Sequence, residues 1–147
     1  MTKRSESELE NGVPEKIKEL ATAFRIAIER SDRAKLPITF ADFPLGSCGD
    51  AANLLGAYLT DCGIESLKYV CGQRGEKSHV WLESGGLIID ITGDQFDDCD
   101  EPVIVRTDAS WHDTFDRQKD NLADFRLYDP GAVSRLAGSY KEILGRI

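Results

Sequence analysis

The sequence predicts a single α+β domain. Three observations carry this. Apolar residues recur at helical spacing near both ends of the chain, alternating segments bounded by glycine turns fill the middle, and no repeat, low-complexity tract or interdomain linker interrupts the order helices, strands, helices. The 147 residues suffice for one core, and 41% hydrophobic with 30% charged residues is an ordinary globular balance.

Residues 1–12 are polar and expected as a flexible tail, leaving 13–147 as the domain. From Pro14, a residue suited to a first helical turn, a helix is expected to about Arg33, with Ile17, Leu20, Ala21, Phe24 and Ile28 on one face. Pro37 and Pro44 make Leu36 to Leu45 irregular. A second helix is expected from Cys48 to about Asp61, with Ala51, Ala52, Leu54, Leu55, Tyr58 and Leu59 inward and Gly63 past its end. Strands follow at Ser66 to Cys71, Ser78 to Glu83, Leu87 to Thr92 and Val103 to Val105, with Gly72 to Lys77 a loop and Ser84-Gly85-Gly86 a tight turn. They predict an antiparallel meander. Trp111 to Asp124 is mixed and charged, and Asp129-Pro130 opens a last helix carrying Val133, Leu136, Ala137, Tyr140, Ile143 and Leu144.

A net charge of −8 argues against binding a phosphate backbone, so no nucleic-acid partner is expected. No apolar run approaches the ~20 residues that span a bilayer, and the polar start lacks the apolar core of a secretory signal. A cytoplasmic protein with no membrane partner is expected, with specialised export left open. Cys48, Cys62, Cys71 and Cys99 are expected as free thiols. No Cys-x-x-Cys pair exists and neither His79 nor His112 pairs with a cysteine at helical spacing, so no metal or other cofactor is expected.

The chemistry concentrates at Cys48, His79 and Asp90. Cys48 follows the turn Gly46-Ser47 at a helix start, where free N–H groups and the dipole stabilise a thiolate. A hairpin turning near residue 85 sets His79 opposite residues 90 to 92, so Asp90 falls within cross-strand reach, both pointing at the helix that begins at Cys48. Asp90 interrupts the apolar run Leu87-Ile88-Ile89-Asp90-Ile91, and a buried carboxylate needs a partner; His79 supplies one.

Three motifs together, Gly46-Ser47-Cys48-Gly49-Asp50-Ala51-Ala52, then His79-Val80-Trp81-Leu82-Glu83, then Ile88-Ile89-Asp90-Ile91-Thr92-Gly93-Asp94-Gln95-Phe96, resemble the transglutaminase-like branch of the papain-like cysteine enzymes. The resemblance spans residues 40–96 and implies a papain-like core in which the helix bearing the nucleophile packs on a small antiparallel sheet. It implies a Cys48-His79-Asp90 triad acting on amide bonds of a protein or peptide through a thioester, as peptidase, isopeptidase, deamidase or transglutaminase. The chain is shorter than the cross-linking enzymes and has no calcium loop of the Asp-x-Asp-x-Asp-Gly kind.

Further candidates follow from this site. Ser47, Gly49, Trp81 and Gln95 are candidates for substrate contact or for the oxyanion hole. The Cys48 N–H is the expected first donor. No Gln precedes Cys48 to supply a second, as papain-like enzymes use. Trp81 is expected to pack under the site, Gln95 to line it or to be a surface amide, Asp94 to rank behind Asp90, and His112 to lie on the surface or at a helix start. The loop Asp94 to Glu101 holds five carboxylates and would form a negative rim or a merely solvated loop. Two rival readings stand beside the enzyme. One is a non-catalytic interaction domain with the same fold. The other is a redox protein using Cys48 with Cys62 or Cys71, although Cys48 and Cys62 are about 20 Å apart along one helix. The sequence assigns no oligomeric state.

Overall fold

The computed structural model describes the backbone of residues 6–147 and the side chains of residues 12–147. Among these described residues the chain forms three α-helices and one six-stranded antiparallel sheet, so the α+β class holds. Helix α1 (Glu6–Arg30) buries Ile17, Ala21, Phe24, Ala27 and Ile28 against the sheet and the other helices. It runs through Pro14 instead of starting there, so residues 6–12 are helical where a tail was expected; residues 1–5 lie outside the described residues. Pro14 removes one N–H from the ladder and its ring crowds the carbonyl four residues back, so the helix continues through it at a cost.

Helix α2 (Cys48–Asp61) follows expectation. Ala51, Leu54, Leu55, Ala57 and Leu59 are all but inaccessible, and Gly63 takes φ 90° just past the end. Gly56 is required on α2 because a Cβ there would fall 1.5 Å from the Ala123 carbonyl oxygen. The segment near residue 123 thus crosses α2 in backbone contact.

The sheet comprises β1 (Lys68–Arg74), β2 (Lys77–Ser84), β3 (Leu87–Asp90), β4 (Ile104–Arg106), β5 (Asp116–Arg117) and β6 (Asn121–Leu122). Its order is β4-β3-β2-β1-β5, with β6 also on β1. The expected loop at Gly72 to Lys77 is instead mostly strand: Gly72, Gln73 and Arg74 pair with His79, Ser78 and Lys77, and Gly75-Glu76 turns the chain. The strand expected to reach Thr92 ends at Asp90.

The sheet has two covered faces. Val80, Leu82 and Ile89 join the large core under α1, α2 and α3 (Pro130–Leu144), whose N-cap Asp129 accepts the Ala132 N–H at 3.0 Å. Val70, Trp81 and Ile88 point the other way, into a smaller cluster with Phe96 and Phe115. All four β3 residues are therefore buried. Strands β2 and β3 pair only from Leu82↔Ile89 to Ser84↔Leu87. At residues 79–81 and 90–92 they part, and the start of α2 abuts that opening.

Candidate active site

His79 and Asp90 meet where β2 and β3 part, as diagonal rather than directly opposed residues. His79 Nε2 lies 2.7 Å from Asp90 Oδ2, and both side chains are fully enclosed. They do not face the body of α2 as expected. Alternation along β2 and β3 sends them, with Trp81 and Ile88, to the aromatic face, because Val80, Leu82 and Ile89 already take the helix face. The His79 ring sits among Trp81, Phe96, Trp111 and Phe115, with centroids 5.0 to 5.9 Å away. Trp81 packs beneath the site, and its Nε1 donates to Glu83.

Cys48 stands at the opening between β2 and β3, beside Trp81 and Asp90. It borders a void of about 10 Å³ with Ala52, Leu55, Val80, Trp81, Asp90 and Thr92. Burial works against the His79 imidazolium. The charge and hydrogen bond of Asp90, then the hydrogen bonding and charge of the Cys48 sulfur, outweigh it and push His79 up to about 9. The Cys48 sulfur is near enough to act on the ring, but no hydrogen bond of ordinary geometry joins them, and the two ring nitrogens face Asp90 and Gln95.

Asp90 holds three donors. Oδ1 accepts the Thr92 N–H at 2.9 Å, and Oδ2 accepts both His79 and, at 2.8 Å, His112 Nε2. Burial opposes the carboxylate, but the His79 charge and the hydrogen bonds from His112 and His79 hold it well below the usual carboxylate range. His112 is thus buried in the site, 2% exposed; of the two places expected for it, surface or helix start, the structure gives the second. Its place in a 3₁₀ turn (His112–Thr114) folds it under Trp81, against whose ring it packs at 4.8 Å. His112 Nδ1 is buried without a partner, so the ring carries its proton on Nε2, where Asp90 receives it.

His79, Asp90 and His112 are of the residue types that bind divalent ions, and their donor atoms cluster. Their spacing here is that of hydrogen bonds and shorter than that of a metal's ligand set. A tetrahedral zinc with ligand bonds of about 2.0 Å separates its donor atoms by about 3.3 Å. Here both imidazole nitrogens stand 2.7 to 2.8 Å from one oxygen, the distance of charge-assisted hydrogen bonds.

The remaining candidates occupy distinct positions. Gln95 Nε2 lies 3.1 Å from His79 Nδ1, so Gln95 lines the site on the ring's second nitrogen. Ser47 is buried at the α2 N-cap but turns its hydroxyl to the Pro44 carbonyl, 2.9 Å away. It caps no helical N–H, and the first turn of α2 keeps free donors. Gly49 stands against the Tyr69 hydroxyl, which would lie 3.0 Å from a Cβ at that position. Asp94 belongs elsewhere: Arg25 of α1 grips it with both nitrogens, at 2.8 and 2.9 Å. Asp98 pairs with Arg74 and Glu101 with Arg106, so three of the five loop carboxylates are already matched and little of the expected negative rim remains.

All four cysteines are free. Cys71 on β1 lies near enough to Cys48 that the Cys48 charge, after burial, raises its thiol. Asp50, two residues beyond Cys48, is held by Arg135 of α3 at 2.8 and 2.9 Å and by Thr39 at 2.6 Å, which anchors the start of α2.

Sequence reasoning missed two residues here, His112 and Tyr69. Neither lies in a motif, and only the long-range fold brings them in. No protein-family model, curated protein or solved structure matches this chain. No helix among the described residues is long and apolar enough to cross a membrane.

Proposed function

We propose that the chain is a cysteine-dependent amide hydrolase or acyl transferase with a transglutaminase-like, papain-like core. Cys48 is the nucleophile, His79 the proton carrier and Asp90 the orienting carboxylate. One observation carries this reading: His79, paired with the buried Asp90, lies within electrostatic reach of the Cys48 thiol at an uncapped helix start. A ring pushed up to about 9 holds a proton at neutral pH, the state needed beside a thiolate.

In this mechanism the Cys48 sulfur attacks the carbonyl carbon of a protein or peptide amide. The carbonyl electron pair moves to oxygen, and the α2 N–H groups stabilise it. On collapse the C–N bond breaks, His79 gives its proton to the leaving amine, and a thioester remains on Cys48. Water activated by His79 releases the acid, or an amine releases a new amide. No cofactor enters these steps. The cytoplasm, where thiols stay reduced, suits this chemistry.

A second reading is favoured by the closure of the site. His79 is wholly enclosed, and the void beside Cys48 is smaller than a substrate group. A non-catalytic interaction domain would keep such a packed remnant. Labelling with an electrophilic acyl probe, followed by peptide mapping, separates the two. The enzyme reading predicts selective modification of Cys48 over Cys62, the exposed cysteine. Modification led by Cys62 would favour the interaction domain.

A further inference from the structure

The oxyanion hole has one side in place, the free N–H groups of α2. The other side lies across from it on β1. Tyr69 alternates with Val70 and points to the helix face with Cys71, packing against the large core near Cys48. Its hydroxyl stands beside the first turn of α2, over Gly49, and a methyl group there would approach it to 3.0 Å. Only glycine leaves the hydroxyl that place without a shift.

The hydroxyl is also unused. Tyr128 donates to the Leu122 carbonyl at 2.6 Å and Tyr140 to Asp61 at 2.7 Å, whereas the Tyr69 hydroxyl has no hydrogen-bond partner among the described residues. Burial, then the charges of Cys48 and Cys71, raise its phenol far above the ordinary value, so it keeps its proton and acts as a donor. The hydroxyl is not among the side-chain atoms buried without a partner, so water reaches it and a substrate oxygen can take the water's place.

We propose that Tyr69 is a catalytic residue, the side-chain donor of the oxyanion hole, which hydrogen-bonds the carbonyl oxygen of the acyl group as it bonds to Cys48. This rests on the cysteine acyl-transfer reading above. As the sulfur–carbon bond forms, the carbonyl pair moves to oxygen between the Tyr69 O–H and the α2 N–H groups. As the pair returns, the leaving group departs with its bonding electrons, and Tyr69 keeps its proton throughout.

The test uses two reagents on the full chain. Acylation of Cys48 by 4-nitrophenyl acetate passes through a tetrahedral oxyanion; alkylation by iodoacetamide displaces iodide at a saturated carbon and does not. Tyr69→Phe should slow acylation by about 10- to 100-fold. Alkylation should stay within about twofold of the wild type, because thiolate and access are unchanged. Gly49→Ala, which displaces the hydroxyl without removing it, should show the same split more weakly. Equal acylation rates in Tyr69→Phe and wild type would overturn the assignment. So would equal slowing of both reagents, which would place the hydroxyl on the thiolate instead. Failure of the underlying reading looks different: the wild type itself would show no acylation that Cys48→Ala abolishes, and the assignment would fall with it.

Discussion

His79 Nε2 and Asp90 Oδ2 stand 2.7 Å apart in a pocket that excludes solvent from both side chains. The pair joins two strands at the point where they stop pairing, so it takes the place of the ladder and holds the opening that Cys48 faces.

This pair makes stability depend on pH in a defined window. His79 is raised from 6.5 to about 9, so its contribution is complete below 6.5 and is lost as pH rises through about 9. Asp90 is depressed from 3.8, so its contribution is present above 3.8 and is lost as acid approaches its lowered folded value. The groups acting on the pair are Cys48 and His112, with Cys99 beside Asp90. Melting temperature should therefore fall between pH 6.5 and 9 in the wild type. His79→Gln should flatten that slope, and an unchanged slope would place the titrating group elsewhere.

His112 shares the same carboxylate oxygen, so its removal should be felt at His79. In His112→Phe the ring packing is kept and the competing donor is lost. His79 should then titrate about one pH unit higher, with about 1–3 kcal/mol of stability lost. Imidazole NMR titration and urea unfolding check both. An unmoved His79 would mean that the two imidazoles are not coupled through Asp90.

Arg25 is almost wholly buried and reaches the Ile91 and Pro102 carbonyls as well as Asp94, tying α1 to both ends of the loop behind Asp90. Asp94→Asn leaves that guanidinium only Glu29, 3.8 Å away and half-exposed, as counter-charge, and should cost about 1.5–3 kcal/mol. The exposed Asp97→Asn should stay within about 0.5 kcal/mol. Comparable urea midpoints for the two variants would contradict the ion pair.

Gly56→Ala tests the backbone crossing on α2. A Cβ 1.5 Å from the Ala123 oxygen cannot be relieved by turning a side chain, so at least about 3 kcal/mol should be lost. Gly138 of α3 has open space around it, and Gly138→Ala should instead stabilise by up to about 1 kcal/mol.

Local signals marked much of this fold. Helix α2, the Gly85-Gly86 turn and the His79–Asp90 proximity could be read because each depends on neighbours within a dozen residues. Strands β5 and β6 could not, because two residues carry no periodicity and only the β1 edge defines them. His112 and Asp90 are 22 residues apart, with a 3₁₀ turn between them and no repeating pattern to give the direction of the side chain. The face on which His79 lies differs from expectation for a related reason. Alternation sets the two faces of β2, but a sequence does not say which one the helix covers.

The proposed pairing of Cys48 as nucleophile with His79 as its proton carrier is tested most directly by the pH dependence of Cys48 alkylation. Iodoacetamide rates would be measured by intact mass from pH 5 to 9 in the wild type, His79→Ala and Asp90→Asn, with Cys62→Ser in every background. The account predicts that below the ordinary thiol range, about 8.5, the wild type reacts at least about tenfold faster than either variant. Superimposable profiles for wild type and His79→Ala would contradict it.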